Sequence, residues 1–269
     1  MKKIIFLITL SMLIFTSCED NSQNALNNTN LFSSLTSVTN IPSVNDFLDI
    51  YDQSELTGIV ILQTKKYNVS NGSLTYNGTE TNGNAIFLNN SRTNKATAGQ
   101  SVIINANPIV EYSKGIYKNS TENGLTYNYG ADNKIVIAGS GEYPSDTTTF
   151  TMTTPIEISN VTFNQNISKS QNLTINWTGG TSGQLAQVNI IINDPINLPV
   201  NTTAGIYKKI DNHNRSITLS SQELTSSLVN GLNHIELITY QPTYKTLSNG
   251  KKVCYMTMLI HEIDVNVIN

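Results

Sequence analysis

The sequence predicts an all-β protein with two consecutive β-sandwich domains. Short apolar runs, such as residues 59–62 and 102–104, are separated by clusters of Asn, Gly and Ser, which is the pattern of a sandwich or barrel. No apolar repeat with the period of a helix competes with this pattern over a useful length. The pattern restarts after Pro155, and the 269-residue chain is long enough for two domains of ordinary size. We therefore place the domains at residues 46–155 and 156–269.

Residues 1–17 have the organisation of a secretory signal peptide. Lys2 and Lys3 precede an apolar run at residues 4–15, and two small residues stand before Cys18. The apolar run is too short to cross a bilayer, which needs about 20 residues. We therefore expect this segment to be removed from the mature protein.

Cys18 stands at the expected cleavage point, an arrangement that resembles the lipobox of bacterial lipoproteins. Phe15 departs from the usual pattern, which has Leu three residues before the cysteine. The resemblance implies cleavage before Cys18, a lipid on its sulfur and attachment to a membrane of the cell envelope, because two or more acyl chains give stable anchoring. Plain secretion with a chance cysteine is the alternative. Glu19-Asp20 resembles the acidic export tag of some surface lipoproteins, which slightly favours the outer over the inner membrane and leaves a periplasmic or a surface-exposed position open.

Residues 18–45 form the expected link between the lipid and the first domain. They are rich in Asn, Ser and Thr and contain few apolar residues. Such a composition buries too little apolar surface to fold, so it predicts a flexible tether.

Charge and cysteine content limit the partners of the chain. The net charge is −3, and removal of Lys2 and Lys3 with the signal makes it more negative. This disfavours nucleic acid as a partner, because its phosphates are bound by basic proteins. Cys254 is the one other cysteine, so an acylated Cys18 leaves it without a disulfide partner in the chain. Its apolar surroundings predict a buried thiol.

The best-defined strand runs from Leu173 to Trp177. Apolar Leu173, Ile175 and Trp177 alternate with polar Thr174 and Asn176, which predicts a half-buried strand with the only Trp of the chain in a core. The stretch resembles the early Trp-bearing strand of fibronectin-type and immunoglobulin-like sandwiches, and it is similar to the second domain of small uncharacterised envelope lipoproteins. The resemblance implies a fold and no activity. The disulfide of antibody domains is absent.

Local signals complete the secondary-structure prediction. Asn77-Gly78 and Asn82-Gly83 predict tight turns between strands. Ser220 followed by Glu223 is a capping box, which predicts the start of a short helix. Residues 253–260 are apolar at nearly every position, which predicts a strand covered on both faces.

Motifs for catalysis or metal binding are lacking. His213, His234 and His261 lie far apart and in no known zinc-site spacing. No G-x-S-x-G, P-loop or dinucleotide-binding pattern occurs. Acidic residues are sparse, so a pair for glycoside hydrolysis would have to be assembled by folding. The sequence therefore predicts no enzyme, no metal and no cofactor.

Four tyrosines of the first domain are the candidate ligand-binding residues: Tyr112, Tyr117, Tyr127 and Tyr129. Exposed Tyr rings stack on sugar faces or anchor protein contacts. The alternative is that they pack across strands, since Tyr suits β-sheets well.

The sequence thus favours a lipid-anchored, non-catalytic binding or scaffolding module for protein or glycan. The alternatives are an envelope glycan hydrolase and a passive structural component of the envelope. The fold class alone cannot decide between them, because function resides in sites and not in folds.

Overall fold

The computed structural model describes residues 56–71, 74–91, 94–119, 125, 128–151, 154–180, 185–192 and 205–269. The signal segment, Cys18, the tether and Tyr127 lie outside these residues. The predictions of cleavage and lipidation at Cys18 and of a flexible tether therefore stay predictions.

The described residues are nearly all strand, which confirms the all-β class. They contain fifteen strands and one α-helix. The elements are β1 (Leu56–Asn71), β2 (Leu74–Phe87), β3 (Ser101–Ile104), β4 (Asn107–Ser113), β5 (Ile116–Lys118), β6 (Asp132–Ile137), β7 (Asp146–Thr151), β8 (Glu157–Ile158), β9 (Gln165–Ser168), β10 (Leu173–Thr178), β11 (Leu185–Ile192), β12 (Gly205–Asp211), β13 (Ser216–Leu219), α1 (Ser221–Ser227), β14 (Gly231–Thr246) and β15 (Lys252–Ile268).

Most strands belong to one sheet, in the order β12-β11-β14-β15-β1-β2-β5-β4-β3-β6-β7. Strand β9 pairs with the end of β15, and a separate sheet has the order β13-β10-β8. Strands β1 and β15 pair in parallel, in a register that extends from Leu56↔Lys252 to Asn68↔Ile263. Parallel neighbours need a long connection. Here everything between β1 and β15 forms that connection, so the first and last described strands are neighbours.

The large sheet curls around a first core. This core collects inward side chains from β1, β2, β3, β6 and β15, including Val60, Phe87, Ile104, Ile135 and Tyr255. Strand β7 lies at the far end of the sheet order from β14 and β15. Nevertheless the Tyr255 hydroxyl donates to Asp146 Oδ2 at 2.6 Å, and Lys245 Nζ donates to the Thr147 carbonyl at 2.8 Å. These contacts require the sheet to curl back on itself, so that its two regions face each other across the core.

A second core lies between the small sheet and the β14–β15 hairpin. Leu173, Ile175 and Trp177 of β10 point into it, and Trp177 is only 2% exposed. On the other side are Leu237 of β14 and Val265 of β15. Two packed layers of strands make this part a β-sandwich. The predicted alternation along β10 and the core position of Trp177 are confirmed.

Strand β15 contributes to both cores. Val253 and Tyr255 point into the first core, whereas Leu259 and Ile263 point into the second. The prediction of two domains divided near Pro155 stays a prediction. The described residues add that the last hairpin packs against strands from both sides of that boundary.

The opposite face of β15 is also buried, as its apolar run predicts. Cys254, Met256 and Met258 join Ile59 and Ile61 of β1 in a third apolar cluster, the back cluster. Burial raises the pKa of the Cys254 thiol to about 12. A thiol with so high a pKa is an inert core group, because the thiolate is the reactive form.

The turns predicted at Asn77-Gly78 and Asn82-Gly83 are wrong, because β2 runs through both. The register pairs Asn71 with Leu74, which puts the reversal before Leu74. Both glycines lie close to neighbouring side chains. A Cβ on Gly78 would lie 2.8 Å from the Tyr67 hydroxyl, and a Cβ on Gly83 would lie 2.6 Å from Leu125 Cδ1. A larger residue would displace the ends of these side chains, so glycine here is explained by close packing and not by a turn.

The helix begins at the predicted capping box. Ser220 Oγ accepts a hydrogen bond from the Glu223 amide, and the Glu223 carboxylate accepts one from the Ser220 amide at 2.9 Å. The reciprocal bonds satisfy two amides that the first helical turn leaves free. Leu224 on the inner side of the helix is part of the second core.

Trp177→Ala is expected to lower the free energy of unfolding by about 3–5 kcal/mol, because it leaves a large cavity in a packed core. The measurement is urea denaturation of the chain from residue 19 onward. Val229→Ala is the matched control, since Val229 is 53% exposed and its truncation leaves no cavity. A Trp177→Ala variant as stable as the control would contradict the position of Trp177 in the core.

Candidate functional site

The structure separates the four candidate tyrosines. Tyr112 is 67% exposed and Tyr129 is 38% exposed, whereas Tyr117 is fully buried. Tyr127 lies outside the described residues. Only Tyr112 and Tyr129 therefore present a ring that a ligand can reach in this structure.

Tyr117 is corrected from a candidate ligand-binding residue to a core residue. Its ring packs edge-on against Phe87 in the first core, with the ring centroids 5.6 Å apart. Its hydroxyl donates to the Gly99 carbonyl at 2.7 Å and accepts from the Ala98 amide at 2.8 Å. Burial raises the pKa of the hydroxyl. The physical reason is the alternation of β5, which turns this position inward, so the packing alternative holds for Tyr117.

Tyr112 lies in an apolar area on the outer side of the curled sheet, which we call the outer patch. Ser101↔Val110, Ile103↔Pro108 and Ile103↔Val136 are register pairs on adjacent strands, so their side chains share the face opposite the core. The outer patch comprises Ile103, Pro108, Val110, Tyr112 and Val136. Val110 is 53% exposed.

A cation covers one side of the Tyr112 ring. Lys118 Nζ lies 4.6 Å from the ring centroid, within the range of a cation–π contact. Burial lowers the pKa of Lys118. Tyr112 nevertheless stays 67% exposed, so most of its surface is open to solvent.

Tyr129 lines a pocket of about 270 Å³, which we call the Tyr129 groove. The groove lies on the inner face of β1, β2 and β15, beside the entry to the small sheet. Its lining consists of Thr64, Lys66, Thr79, Tyr129, Pro155, Ile156, Glu157, Leu259 and Ile260. The sequence-predicted residue Tyr129 is thus joined by residues from distant parts of the chain, from Thr64 before it to Ile260 after it.

Hydroxyls and one ion pair form the polar part of the lining. Thr64 Oγ1 shares a hydrogen bond with Thr81 Oγ1 at 3.0 Å and also bonds the Tyr129 hydroxyl. Lys66 Nζ donates to Glu157 Oε1 at 2.7 Å, and this bond lowers the pKa of Glu157. Burial raises the pKa of Tyr129, so its hydroxyl is neutral at physiological pH.

His261 of β15 holds β8, the strand that carries Glu157, in place beside the groove. The imidazole Nδ1 accepts a hydrogen bond from the Ile158 amide at 3.0 Å, which joins β8 to β15. Burial lowers the pKa of His261 to about 4, and the neighbouring Lys66 charge acts in the same direction. The ring is therefore neutral at pH 7 and keeps the lone pair that accepts this bond.

A buried ionic network lies on the opposite face of the sheet, beside the back cluster. His234 Nδ1 is 2.9 Å from Asp264 Oδ1, and His234 Nε2 is 3.6 Å from Glu262 Oε2. Lys65 forms a salt bridge with Glu262, and the Ser70 amide and hydroxyl donate to Asp264 at 2.6 and 2.8 Å. Each charge in the network is thus compensated, as buried charges must be.

The network holds His234 in its charged form. Burial opposes protonation of the imidazole, but the negative charges of Glu262 and Asp264 outweigh burial and raise its pKa to about 9. Burial also disfavours the charged form of Glu262, yet the Lys65 and His234 charges lower its pKa overall. Glu262 and Asp264 are 7% and 0% exposed. As a pair of carboxylates they are occupied by ion pairs and do not open onto the Tyr129 groove.

Two further findings concern metal binding and membrane-spanning helices in the described part of the chain. None of its clusters of His, Cys, Asp or Glu brings together three side chains that could hold a metal ion. None of its helices has the length and apolar character needed to cross a membrane.

Comparison with known proteins gives no family. No family model and no curated protein matches the chain. Among solved structures, a 1.5-MDa bacterial ice-binding adhesin is similar over 79% of this chain and 66% of its own, with 12% identity and a TM-score of 0.20. A structure of Dpr11 IG1 bound to DIP-gamma IG+IG2 matches at 10% identity over 78% and 96% of the two chains, with a TM-score of 0.21. DIP-gamma IG1+IG2 matches at 11% identity over 79% and 98%, with a TM-score of 0.20. Scores this low establish neither a shared fold nor a shared function.

Sequence reasoning missed the groove except for Tyr129. Thr79 and Glu157 carry no motif. The β1–β2 register places Thr79 at the groove, and the contacts of Glu157 with Lys66 and of the Ile158 amide with His261 place Glu157 there. Part of the outer patch could be predicted from the sequence, because Val110 and Tyr112 are alternate residues of one strand. The bulge after Glu111, which accompanies the exposed position of Tyr112, has no sequence signal.

The buried network gives a pH-dependent stability with a definite sign. The pKa of His234 is raised from 6.5 to about 9, so its contribution is complete below about pH 6.5 and is lost as the pH rises to about 9. We expect the free energy of unfolding to fall over this interval in the wild type and to fall less in His234→Gln, as measured by urea denaturation.

The comparison of the two proteins removes the background from other titrating groups. As an independent measurement, the His234 imidazole should remain protonated at pH 8 in NMR spectra of the wild type. If the free energy of unfolding depended on pH in the same way in the wild type and in His234→Gln, and the His234 imidazole were neutral at pH 8, the charged network would be contradicted.

Proposed function

We propose that the protein is a non-catalytic binding or scaffolding module, held on a membrane of the cell envelope by a lipid on Cys18. Its partner is a protein or a glycan. The observation that supports a binding role most strongly is the outer patch. A large exposed ring at Tyr112 and exposed Val110 form an apolar area on a rigid sheet.

The outer patch has the properties of a contact surface. Clusters of exposed apolar residues on one face often mark interaction sites, whereas single exposed residues need no explanation. Tyrosine at such a site offers a large ring with little side-chain entropy to lose. The face is carried by β3, β4 and β6, which are fixed by the first core beneath them. A flat and pre-organised surface of this kind suits a protein partner.

The pattern of residues 1–18 supports the anchor. The basic start, the short apolar run and Cys18 at the cleavage point agree with lipoprotein processing. The polar composition of residues 18–45 suits a spacer that separates the folded strands from the bilayer. The resulting arrangement presents the outer patch at a distance from the membrane, and we favour the outer membrane.

The two alternatives make different demands on the molecule. A glycan hydrolase of the usual kind needs two carboxyls at a substrate cleft. Glu262 and Asp264 are buried in ion pairs, so a catalytic pair would have to come from elsewhere in the chain. A passive structural component has no need for an exposed apolar patch, and the patch therefore favours binding.

Cys18→Ala is expected to move the protein from the membrane fraction to the soluble envelope fraction and to abolish incorporation of labelled fatty acid. The reason is that the thioether to the lipid cannot form without the sulfur. Cys254→Ala is the matched control, because it removes the other cysteine and should leave both lipid label and membrane attachment intact. Membrane attachment of Cys18→Ala with the lipid label retained would disprove the anchor.

Tyr112→Ala is expected to weaken capture of a partner several-fold, because this ring is the most exposed large side chain of the outer patch. The measurement is pull-down from envelope extract at high salt with residues 46–269 as bait. Val229→Ala truncates another exposed apolar side chain, one that lies outside the patch, and should capture as the wild type does. Equal capture by all three proteins, with the folded fraction verified for each, would exclude the outer patch as the contact surface.

A further inference from the structure

We infer that the Tyr129 groove is a binding site for one uncharged sugar ring. The inference names a ligand class for a site separate from the outer patch. It shares with the proposed function only the premise that the protein binds and does not catalyse.

The size of the groove limits the ligand. Its volume is about 270 Å³. Small-molecule pockets typically measure roughly 300–1,000 Å³, so this groove is near the lower end of the range. It therefore accommodates a single ring-sized group, and neither a folded protein surface nor several residues of an extended chain would enter it.

The groove offers one apolar wall for a flat ring. The Tyr129 side chain is 38% exposed, and its hydroxyl is held by a bond to Thr64. Anchoring the hydroxyl fixes the plane of the ring while part of the ring stays open to the groove. The apolar C–H face of a pyranose packs well on such an aromatic surface.

Beside apolar Pro155, Ile156, Leu259 and Ile260, the lining has a polar part that suits hydroxyl groups. Thr79 lies directly opposite Lys66 in the β1–β2 register, and its side chain is exposed at the groove. A threonine hydroxyl both donates and accepts, so it can pair with a sugar hydroxyl in either sense. Lys66 can donate to further hydroxyls and Glu157 can accept from them. A polyhydroxyl ring matches this mixture of donors and acceptors on a small area.

The charge of the groove argues for an uncharged ligand. Lys66 and Glu157 neutralise each other at 2.7 Å, and their side chains are 40% and 51% exposed. A carboxylate or phosphate on the ligand would meet the Glu157 charge, and a cationic ligand would meet the Lys66 charge. A neutral ring is repelled by neither charge and leaves the Lys66–Glu157 ion pair intact.

The groove is also rigid where it contacts a ligand. Lys66 and Thr79 lie on adjacent strands of the central sheet, and Glu157 is held by the bond from the Ile158 amide to His261. Sites between packed units of a fold are common positions for small-molecule binding. Pre-organised walls lower the entropic cost of binding a small ligand.

The test is NMR titration of the chain from residue 19 onward with methyl glycosides of neutral hexoses and N-acetylhexosamines, and with a methyl glucuronide as the charged probe. We expect neutral glycosides to shift the amides of Thr64, Thr79 and Tyr129, and Tyr129→Ala to weaken that binding several-fold. Thr79→Val, which keeps the shape of the side chain and removes the hydroxyl, should also weaken it. Val229→Ala, at an exposed apolar position outside both the groove and the outer patch, is the control and should bind as the wild type does.

The charge argument has its own test. Glu157→Gln should narrow the difference in affinity between the neutral glycosides and the glucuronide, because it removes the negative charge that repels the anion.

Three results would each overturn the inference: no amide shifts with any neutral glycoside, binding by Tyr129→Ala and Thr79→Val as strong as that of the wild type, or a preference of the wild type for the glucuronide. Loss of glycoside binding in Tyr112→Ala alone would overturn the inference and leave the outer patch as the binding surface. Glycoside binding in the groove, with Tyr112→Ala unaffected in partner capture, would support the inference and contradict the proposed role of the patch.

Discussion

Parallel pairing of β1 with β15 is the constraint on which the rest of the structure depends. It makes the first and last described strands neighbours near the centre of the large sheet, with the other strands of that sheet on either side of them. Residues 59–62 of β1 and 253–260 of β15 are apolar on both faces at nearly every position, since packed side chains cover them above and below. Parallel strands buried on two sides are expected to have such continuous apolar runs. The pairing therefore explains why residues 59–62 and 253–260 are the most apolar stretches of the described chain.

The position of the Tyr129 groove follows from that pairing. Toward its start the inner face of the β1–β15 pair is filled by the first core, and toward its end by the second core. Between the cores the inward positions carry Thr64 and Lys66 on β1, and Leu259 on β15. Leu259 belongs to the second core, whereas Thr64 and Lys66 belong to neither core, and the pocket lies beside these two residues. The buried network of His234 and Lys65 lies on the other face, where its charges stabilise the pairing without opening to a ligand.

Local sequence patterns predicted the local structure well. The alternation at residues 173–177 and the capping box at Ser220 are both found, because neighbouring residues are sufficient to produce them. The Asn-Gly turns failed because glycine there makes room for Tyr67 and Leu125, contacts that arise only once the strands are paired. The same limit applies to the candidate site. Strand preference could propose Tyr112, Tyr117 and Tyr129, but only the long-range register decides that Tyr117 points inward while the other two are exposed.

The most direct test of the shared central pairing is whether the two cores unfold together. Trp177 fluorescence reports the second core, and amide hydrogen exchange at residues 102–104 and 135–137 reports the first. Because β15 contributes side chains to both cores, removing it from either one exposes apolar surface in the other, and cooperative unfolding is expected. The shared strand predicts one urea midpoint for both probes. Two well-separated midpoints, with the first core protected after Trp177 has become exposed or the reverse, would contradict it.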